Sequence, residues 1–209
     1  MSLIAGIDEA GRGSVIGPLV LCSAFCRREE EKRLRALCKK DSKQLTPQQR
    51  EDIYTKLKPF CSFRWVEVSA ADLNQLMKKM SLNDIEAKVM ADLVKQLKDA
   101  DVMIDMPDRY GWTFRKRMEK YGVNRFEAEH KADATYPIVA AASICAKIVR
   151  DTKIEEIKKH SGNFGSGYPS DARTIDALKN KEMLAALKPF IRERWKTLDN
   201  IKQKKLFEE

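Results

Sequence analysis

The stretch Ile4-Ala-Gly-Ile-Asp-Glu-Ala-Gly-Arg-Gly13 constrains this chain of 209 residues more than any other. Ile4 and Ile7 read as part of a buried strand, and the strand stops at two adjacent carboxylates, Asp8 and Glu9. Gly11-Arg12-Gly13 follows at once. A turn needs only a glycine and a polar residue, so this strand end carries more chemistry than a change of direction requires.

The rest of the chain supplies partners for that strand. Gly17-Pro18 leads into a second apolar run, Leu19 to Phe25, which reads as its antiparallel neighbour. Charged helical sequence occupies 29–38, and Thr46-Pro47 starts another helix with proline in its first turn. Residues 60–68 alternate well enough for a third strand. Ser81-Leu-Asn-Asp84 has capping-box spacing and opens a helix to about Lys98. Val102 to Asp105 is a short apolar strand that again ends in an acid; 111–121 is amphipathic helix, and 125–129 reads as another strand. The longest helix is expected from Tyr136-Pro137 to about His160, with Ile138, Ala142, Cys145 and Val149 on one face. After the glycine-rich break at 162–167, two helices are expected at 171–188 and 189–205. Strands come early, β and α then alternate, and helices finish the chain. The pattern predicts an α/β fold, a mixed sheet flanked by helices, with a C-terminal helical extension. Without repeats or an obvious linker, 1–160 and 161–209 read as core and extension of one compact unit.

Composition narrows the class. The content is 43% apolar and 34% charged, which suits a globular protein. Forty Lys and Arg against thirty-one Asp and Glu leave a formal charge of +9, which points to a polyanionic partner. Pro137 to Ala146, the longest apolar stretch, is too short to cross a bilayer, and no basic segment followed by an apolar core opens the chain. The five cysteines include no C-x-x-C, and only two histidines accompany them. A structural zinc site is not expected; reduced, mostly buried thiols in a cytoplasmic protein are.

Two strands ending in acids, at Asp8-Glu9 and at Asp105, place carboxylates where open α/β sheets gather ligands. Asp133, in His130-Lys-Ala-Asp-Ala-Thr-Tyr-Pro137, is a third contributor. Each could instead be a solvated loop acid, and Asp133 could merely cap the long helix. If they converge, like charges about 4 Å apart repel by roughly 4 kcal/mol at an effective dielectric near 20, so cations must accompany them. An all-oxygen donor set selects Mg²⁺ or Mn²⁺. An acidic pocket in a basic protein suits metal-dependent phosphodiester hydrolysis.

Five blocks in order make the chain resemble ribonuclease HII: D-E-A-G-R-G at 8–13, G-P-L-V at 17–20, D-S-K-Q-L at 41–45, A-D-A-T-Y-P-I-V-A-A-A-S-I-C-A-K at 132–147 and G-S-G-Y-P-S-D at 165–171. The similarity runs from residue 4 to about Lys196. S-G-Y-P-S-D-A-R-T and R-W-K-T at 194–197 resemble the archaeal form and the eukaryotic catalytic subunit. The related ribonuclease HIII pattern has Glu in place of Asp105 and an additional domain before strand one, so the resemblance is expected to be to ribonuclease HII instead. The resemblance implies a ribonuclease H-like fold, cleavage of the RNA strand of RNA/DNA hybrids and nicking of duplex DNA at embedded ribonucleotides. It implies four metal-binding catalytic carboxylates, Asp8, Glu9, Asp105 and Asp133, and two ions during catalysis. One ion is expected on Asp8, Asp105 and Glu9, and a second on Asp8 and Asp133. It further implies that Gly11, Arg12 and Gly13 approach the ribose, that Tyr168 senses the ribonucleotide, and that Lys43 lies near substrate phosphates.

Plainer roles stay open for these residues: a glycine turn, a packed surface tyrosine, a solvated lysine. Asp151 after Arg150 suits an ion pair as well as a catalytic part, and His130 reads as a loop histidine. The segment Arg192 to Lys205, with six basic and two acidic residues, is expected to clamp the duplex backbone, unless it is a solvated face docked by Trp195. A monomer is expected. Gln203 and Leu206 match two positions of a sliding-clamp-binding peptide, but Glu209 stands where an aromatic belongs. Two rivals remain: another two-metal nuclease or strand-transferase on the same fold, and an inert hybrid-binding protein.

Overall fold

The computed structural model describes residues 2–38 and 45–207, the side chains of 202 and 204–207 apart. The chain forms two compact units. The first comprises Met1–Ala10, Val20–Val66 and Ser81–Val149, and the second Gly11–Leu19, Glu67–Met80 and Arg150–Glu209.

The sheet lies almost wholly in the first unit. Its strands are β1 (Leu3–Ala10), β2 (Leu19–Arg27), β3 (Ser62–Val68), β4 (Ala100–Asp105) and β5 (Glu127–Glu129), in the order β3-β2-β1-β4-β5. β2 pairs antiparallel with β1, as the Gly-Pro turn predicts, while β4 runs parallel to β1 and β5 parallel to β4. The sheet is therefore mixed. β1 is central and buried from Ile4 through Asp8, which explains its continuous apolar run. β1 runs on to Ala10, two residues past the expected end at the acids, because its pairing with β2 continues there. The parallel β1–β4 ladder stops at the pair Ile7 and Ile104, so Asp8 and Asp105 follow it side by side.

The helices are α1 (Glu31–Leu37), α2 (Pro47–Leu57), α3 (Ala70–Leu76), α4 (Leu82–Lys95), α5 (Gly111–Lys120), α6 (Ala132–Thr135), α7 (Pro137–Ser161), α8 (Ala172–Lys179), α9 (Lys181–Leu187) and α10 (Lys196–Phe207). Local chemistry sets several starts. Thr46 and Gln49 form a capping box on α2, whose first turn carries the proline. Ser81 accepts the Asp84 N–H on α4, and its hydroxyl donates to the Asp84 side chain. α3 is an addition to the sequence reading; Ser69 caps it with the same Ser-x-x-Asp spacing. The expected helix at 171–188 is broken because Asn180 turns the chain, its side chain accepting from the N–H groups of Glu182 and Met183. The expected helix at 189–205 begins only at Lys196, since 188–190 form a 3₁₀ turn and Ile191 bridges to Ile16.

α7 departs from its expected one-faced pattern. From Ile138 to Ala146 every residue is buried, so this half of the helix is enclosed rather than laid on a surface. Gly6 of β1 makes the approach possible. A Cβ there would sit 2.5 Å from the main-chain carbonyl of Ile138 and the nitrogen of Val139.

The second unit has its own core of Val15, Ile16, Ile154, Ile157, Phe164, Leu178, Leu187 and Ile191, with Trp195 and Leu198 packed against it. Arg192 is fully buried there. Its Nε donates to the Gly17 carbonyl at 2.9 Å and Nη1 to the Arg12 carbonyl at 3.2 Å, and its guanidinium lies 4.9 Å from the Trp195 ring centroid. The expectation that Arg192 belongs to a duplex clamp is thus corrected: the residue is an internal tie. All five cysteines are free and four are buried. No helix among the described residues is long and apolar enough to cross a membrane.

Candidate metal centre

Asp8, Asp105 and Asp133 each present a carboxylate oxygen within 4.8 Å of the others, all in the first unit. β1 and β4 supply the first two, each one residue past the last pair of their shared ladder. The third arrives through a short relay. The Ala132 N–H donates to Asp105 Oδ1 at 2.9 Å, fixing the start of α6. Lys131 takes the left-handed conformation at φ 57° to turn the chain into that helix. Asp133 is buried on α6 and does not cap α7, so its plainer reading fails. The Asp105 carboxylate therefore does two things: it joins the group, and it positions the helix carrying the third member.

Burial and mutual repulsion make this arrangement costly when bare. Desolvation, then the neighbouring Asp105, push Asp8 up to about 8, opposed by hydrogen bonds from Ser143 and from the Glu9 N–H, with a smaller upward push from Asp133. The Glu9 N–H reaches Asp8 Oδ1 at 2.6 Å. Asp133 Oδ2 is buried with no hydrogen-bond partner. A buried acceptor without a donor beside two other carboxylates is what a divalent cation would satisfy. The donors are all oxygen, which suits a hard ion. Glu9, the next residue on β1, is not one of the three.

Comparison with known proteins gives the family. The family model for Ribonuclease HII matches residues 5–198. The chain belongs to the ribonuclease HII family. It is 41% identical over 202 residues to Ribonuclease HII of Archaeoglobus fulgidus, covering 97% of this chain and 98% of that protein. The crystal structure of ribonuclease H2 from Pyrococcus horikoshii matches with a TM-score of 0.84 at 37% identity, over 97% of this chain and 98% of that one. The Archaeoglobus fulgidus enzyme in the structure of its complex with PCNA also matches at 0.84, with 40% identity over 92% and 95% of the two chains. These relatives establish the ribonuclease H-like fold, and the family makes the chain a divalent-metal-dependent nuclease that hydrolyses phosphodiester bonds.

The remaining residues singled out from the sequence each have their own neighbours. Gly11 has φ +85°, and a Cβ there would meet the Pro18 carbonyl oxygen at 2.5 Å. Its own carbonyl accepts from the N–H and hydroxyl of Ser14. Gly13 is exposed, with open space around the position a Cβ would take. Tyr168 is half-buried under the Arg150 guanidinium, 4.5 Å from its ring centroid. Arg150 is itself buried, donating to the Ser166 carbonyl at 2.5 Å and pairing with Asp151 at 3.3 Å. Asp151 is thus an ion-pair partner. His130 is exposed, its Nε2 3.3 Å from the Arg109 carbonyl. Lys43 lies outside the described residues.

The supporting roles of Ser143, Arg150 and Arg192 were not read from the sequence. Ser143, which bonds Asp8, is a polar residue inside an alanine-rich run, and that anomaly was a usable signal. Arg150 and Arg192 left none, because a buried arginine and an exposed one look alike in sequence.

Proposed function

We infer that the chain is an endoribonuclease that cleaves the RNA strand of RNA/DNA hybrids and nicks duplex DNA on the 5′ side of embedded ribonucleotides. The observation that carries this reading is the convergence of Asp8, Asp105 and Asp133 within 4.8 Å in a basic protein of this family. Asp8, Asp105 and Asp133, with Glu9 as fourth carboxylate, would hold two Mg²⁺ or Mn²⁺ ions. Bound there, such ions supply a more acidic water as nucleophile and charge stabilisation at the leaving 3′ oxygen. Hydrolysis in that order leaves a 3′-hydroxyl and a 5′-phosphate. Ser143 and the Glu9 N–H orient the Asp8 carboxylate, and Asp105 holds α6 in place. Gly11, Arg12 and Gly13 present main chain to the ribose; Gly13 carries no side chain to keep a sugar away. Tyr168, fixed by Arg150, reads the ribonucleotide, and Lys43 contacts phosphate.

The test is a labelled DNA duplex with one ribonucleotide, incubated with Mg²⁺ or Mn²⁺. A nick 5′ of the ribonucleotide, with an all-DNA duplex untouched, is expected. Cleavage of both duplexes would favour another two-metal nuclease, and binding without cleavage an inert hybrid-binding protein. Products ending in a 2′,3′-cyclic phosphate would overturn the proposed chemistry. A second reading is favoured by the Archaeoglobus fulgidus relative, whose structure was determined with PCNA: residues 203–209 contact a sliding clamp. A clamp pull-down should retain the full chain and lose one shortened before Gln203.

A further inference from the structure

The first unit carries an exposed aromatic pair that its fold does not use. Tyr110 is 50% and Trp112 64% exposed, the two most exposed large hydrophobic side chains among the described residues. Their rings are nearly parallel, 20° apart, with centroids separated by 6.5 Å. Basic side chains accompany them. The Arg109 guanidinium lies 5.3 Å from the Tyr110 centroid and the Lys116 ammonium 5.5 Å from that of Trp112. From 109 to 120 the sequence has five basic residues and one acid.

The segment bearing the rings is held firmly. The Met106 N–H donates to the Glu129 carbonyl at 2.9 Å. Asp108 is buried, accepting from Arg117 Nε at 3.0 Å and from Asn83. Thr113 Oγ1 donates to the Tyr110 carbonyl at 2.6 Å. Arg117 also reaches Asp84 on α4 at 2.5 Å. A helix start tied down on both sides while the large apolar rings of its cap residue Tyr110 and first-turn residue Trp112 stay in water presents those rings to something else.

We propose that Tyr110 and Trp112, flanked by Arg109 and Lys116, form a stacking platform for unpaired nucleotides of a nucleic-acid strand. Bases stack on aromatic faces with little regard to sequence, and cations beside the rings match the phosphates between those bases. The surrounding charge excludes a basic or purely apolar partner and complements a polyanion. The proposal rests on the nuclease reading above and deepens it. Beyond cleaving a duplex, the enzyme grips single-stranded sequence and favours substrates in which a hybrid or ribonucleotide adjoins an unpaired tail.

The test uses the full chain and a labelled twelve-nucleotide DNA strand, followed by fluorescence anisotropy. Wild type should bind it, and Tyr110→Ala/Trp112→Ala should bind at least about fivefold more weakly with the melting temperature unchanged. Trp112→Phe, which keeps an aromatic face, should bind almost as wild type. Lys116→Ala should reduce the salt slope by about 0.7, the counterion term for one single-stranded phosphate. Cleavage of a blunt hybrid should be the same in the double variant and wild type, while the preference for a tailed hybrid should vanish. Equal binding by wild type and the double variant would overturn the proposal. So would a concentration-dependent dimer that the double variant abolishes, since the rings would then meet a second copy of the chain. The nuclease reading fails separately, through absence of cleavage of any ribonucleotide-containing duplex by wild type.

Discussion

Asp105 separates charge from geometry at a single residue. Its Oδ1 accepts the Ala132 N–H, a bond that an asparagine oxygen can also accept. Asp105→Asn should keep α6 in place, relieve the repulsion on Asp8 and raise the melting temperature of the metal-free protein. Turnover should fall about a hundredfold or more while substrate binding survives; unchanged turnover would remove Asp105 from the chemistry. Asp8 gives a pH test. Its carboxyl titrates near 8 in the fold against 3.8 as a free group, so it keeps its proton when folded and loses it on unfolding. A carboxylate raised in this way withdraws stability as pH climbs from about 4 to 8. Metal-free protein should therefore lose melting temperature across that span, and added Mg²⁺ should stabilise more at pH 8 than at pH 5, because the ion must displace the proton. Thermal unfolding at several pH values checks both. The two glycines of 11–13 divide similarly. Gly11→Ala meets both a positive φ and the Pro18 oxygen and should destabilise by about 2 kcal/mol. Gly13→Ala should leave melting unchanged yet slow cleavage. Asp8 and Asp105 were legible because a short apolar run broken by an acid is a one-dimensional signal; Asp133 was marked only by its place before the long helix. Ser143 was half legible, as a hydroxyl among alanines.

At the level of elements, what sequence shows well is what local chemistry decides. The paired strands at Leu3 and Leu19, the proline-led start of α2 and the run of α7 all follow from patterns within a few residues. What it shows poorly depends on distant partners. Even burial around the first half of α7 follows from Gly6 on another element, and an isolated helix pattern does not contain that fact. The chain stays non-helical at 191–195 because the Arg192 N–H bonds Val15, and because Asn74 donates to the Ile191 carbonyl and accepts from the Glu193 N–H. None of these ties has a local signature. Arg192→Ala should cost about 3 kcal/mol, since two charge-assisted bonds vanish and the buried Gly17 carbonyl and part-buried Arg12 carbonyl lose donors. Urea unfolding should show it; a loss under about 0.5 kcal/mol would mean that solvent or neighbours replace the guanidinium.

Over the whole molecule, charge is sorted by role: a formal +9 overall, with three carboxylates gathered into one group, two of them buried and Asp105 partly so. Removing residues 196–209 deletes four lysines, with Asp199, Glu208 and Glu209 the acids that go with them. If α10 grips the duplex, the salt slope of hybrid binding should flatten by roughly 0.9 for each phosphate no longer neutralised, while an unchanged slope would leave that helix a structural part only. The division of the chain has a consequence for biosynthesis. The path passes between the units five times, and the Arg12 and Gly17 carbonyls wait for a guanidinium some 180 and 175 positions later. A nascent chain emerging from the ribosome holds the opening glycine segment long before the side chain that anchors it, so the second unit cannot mature until translation is nearly over.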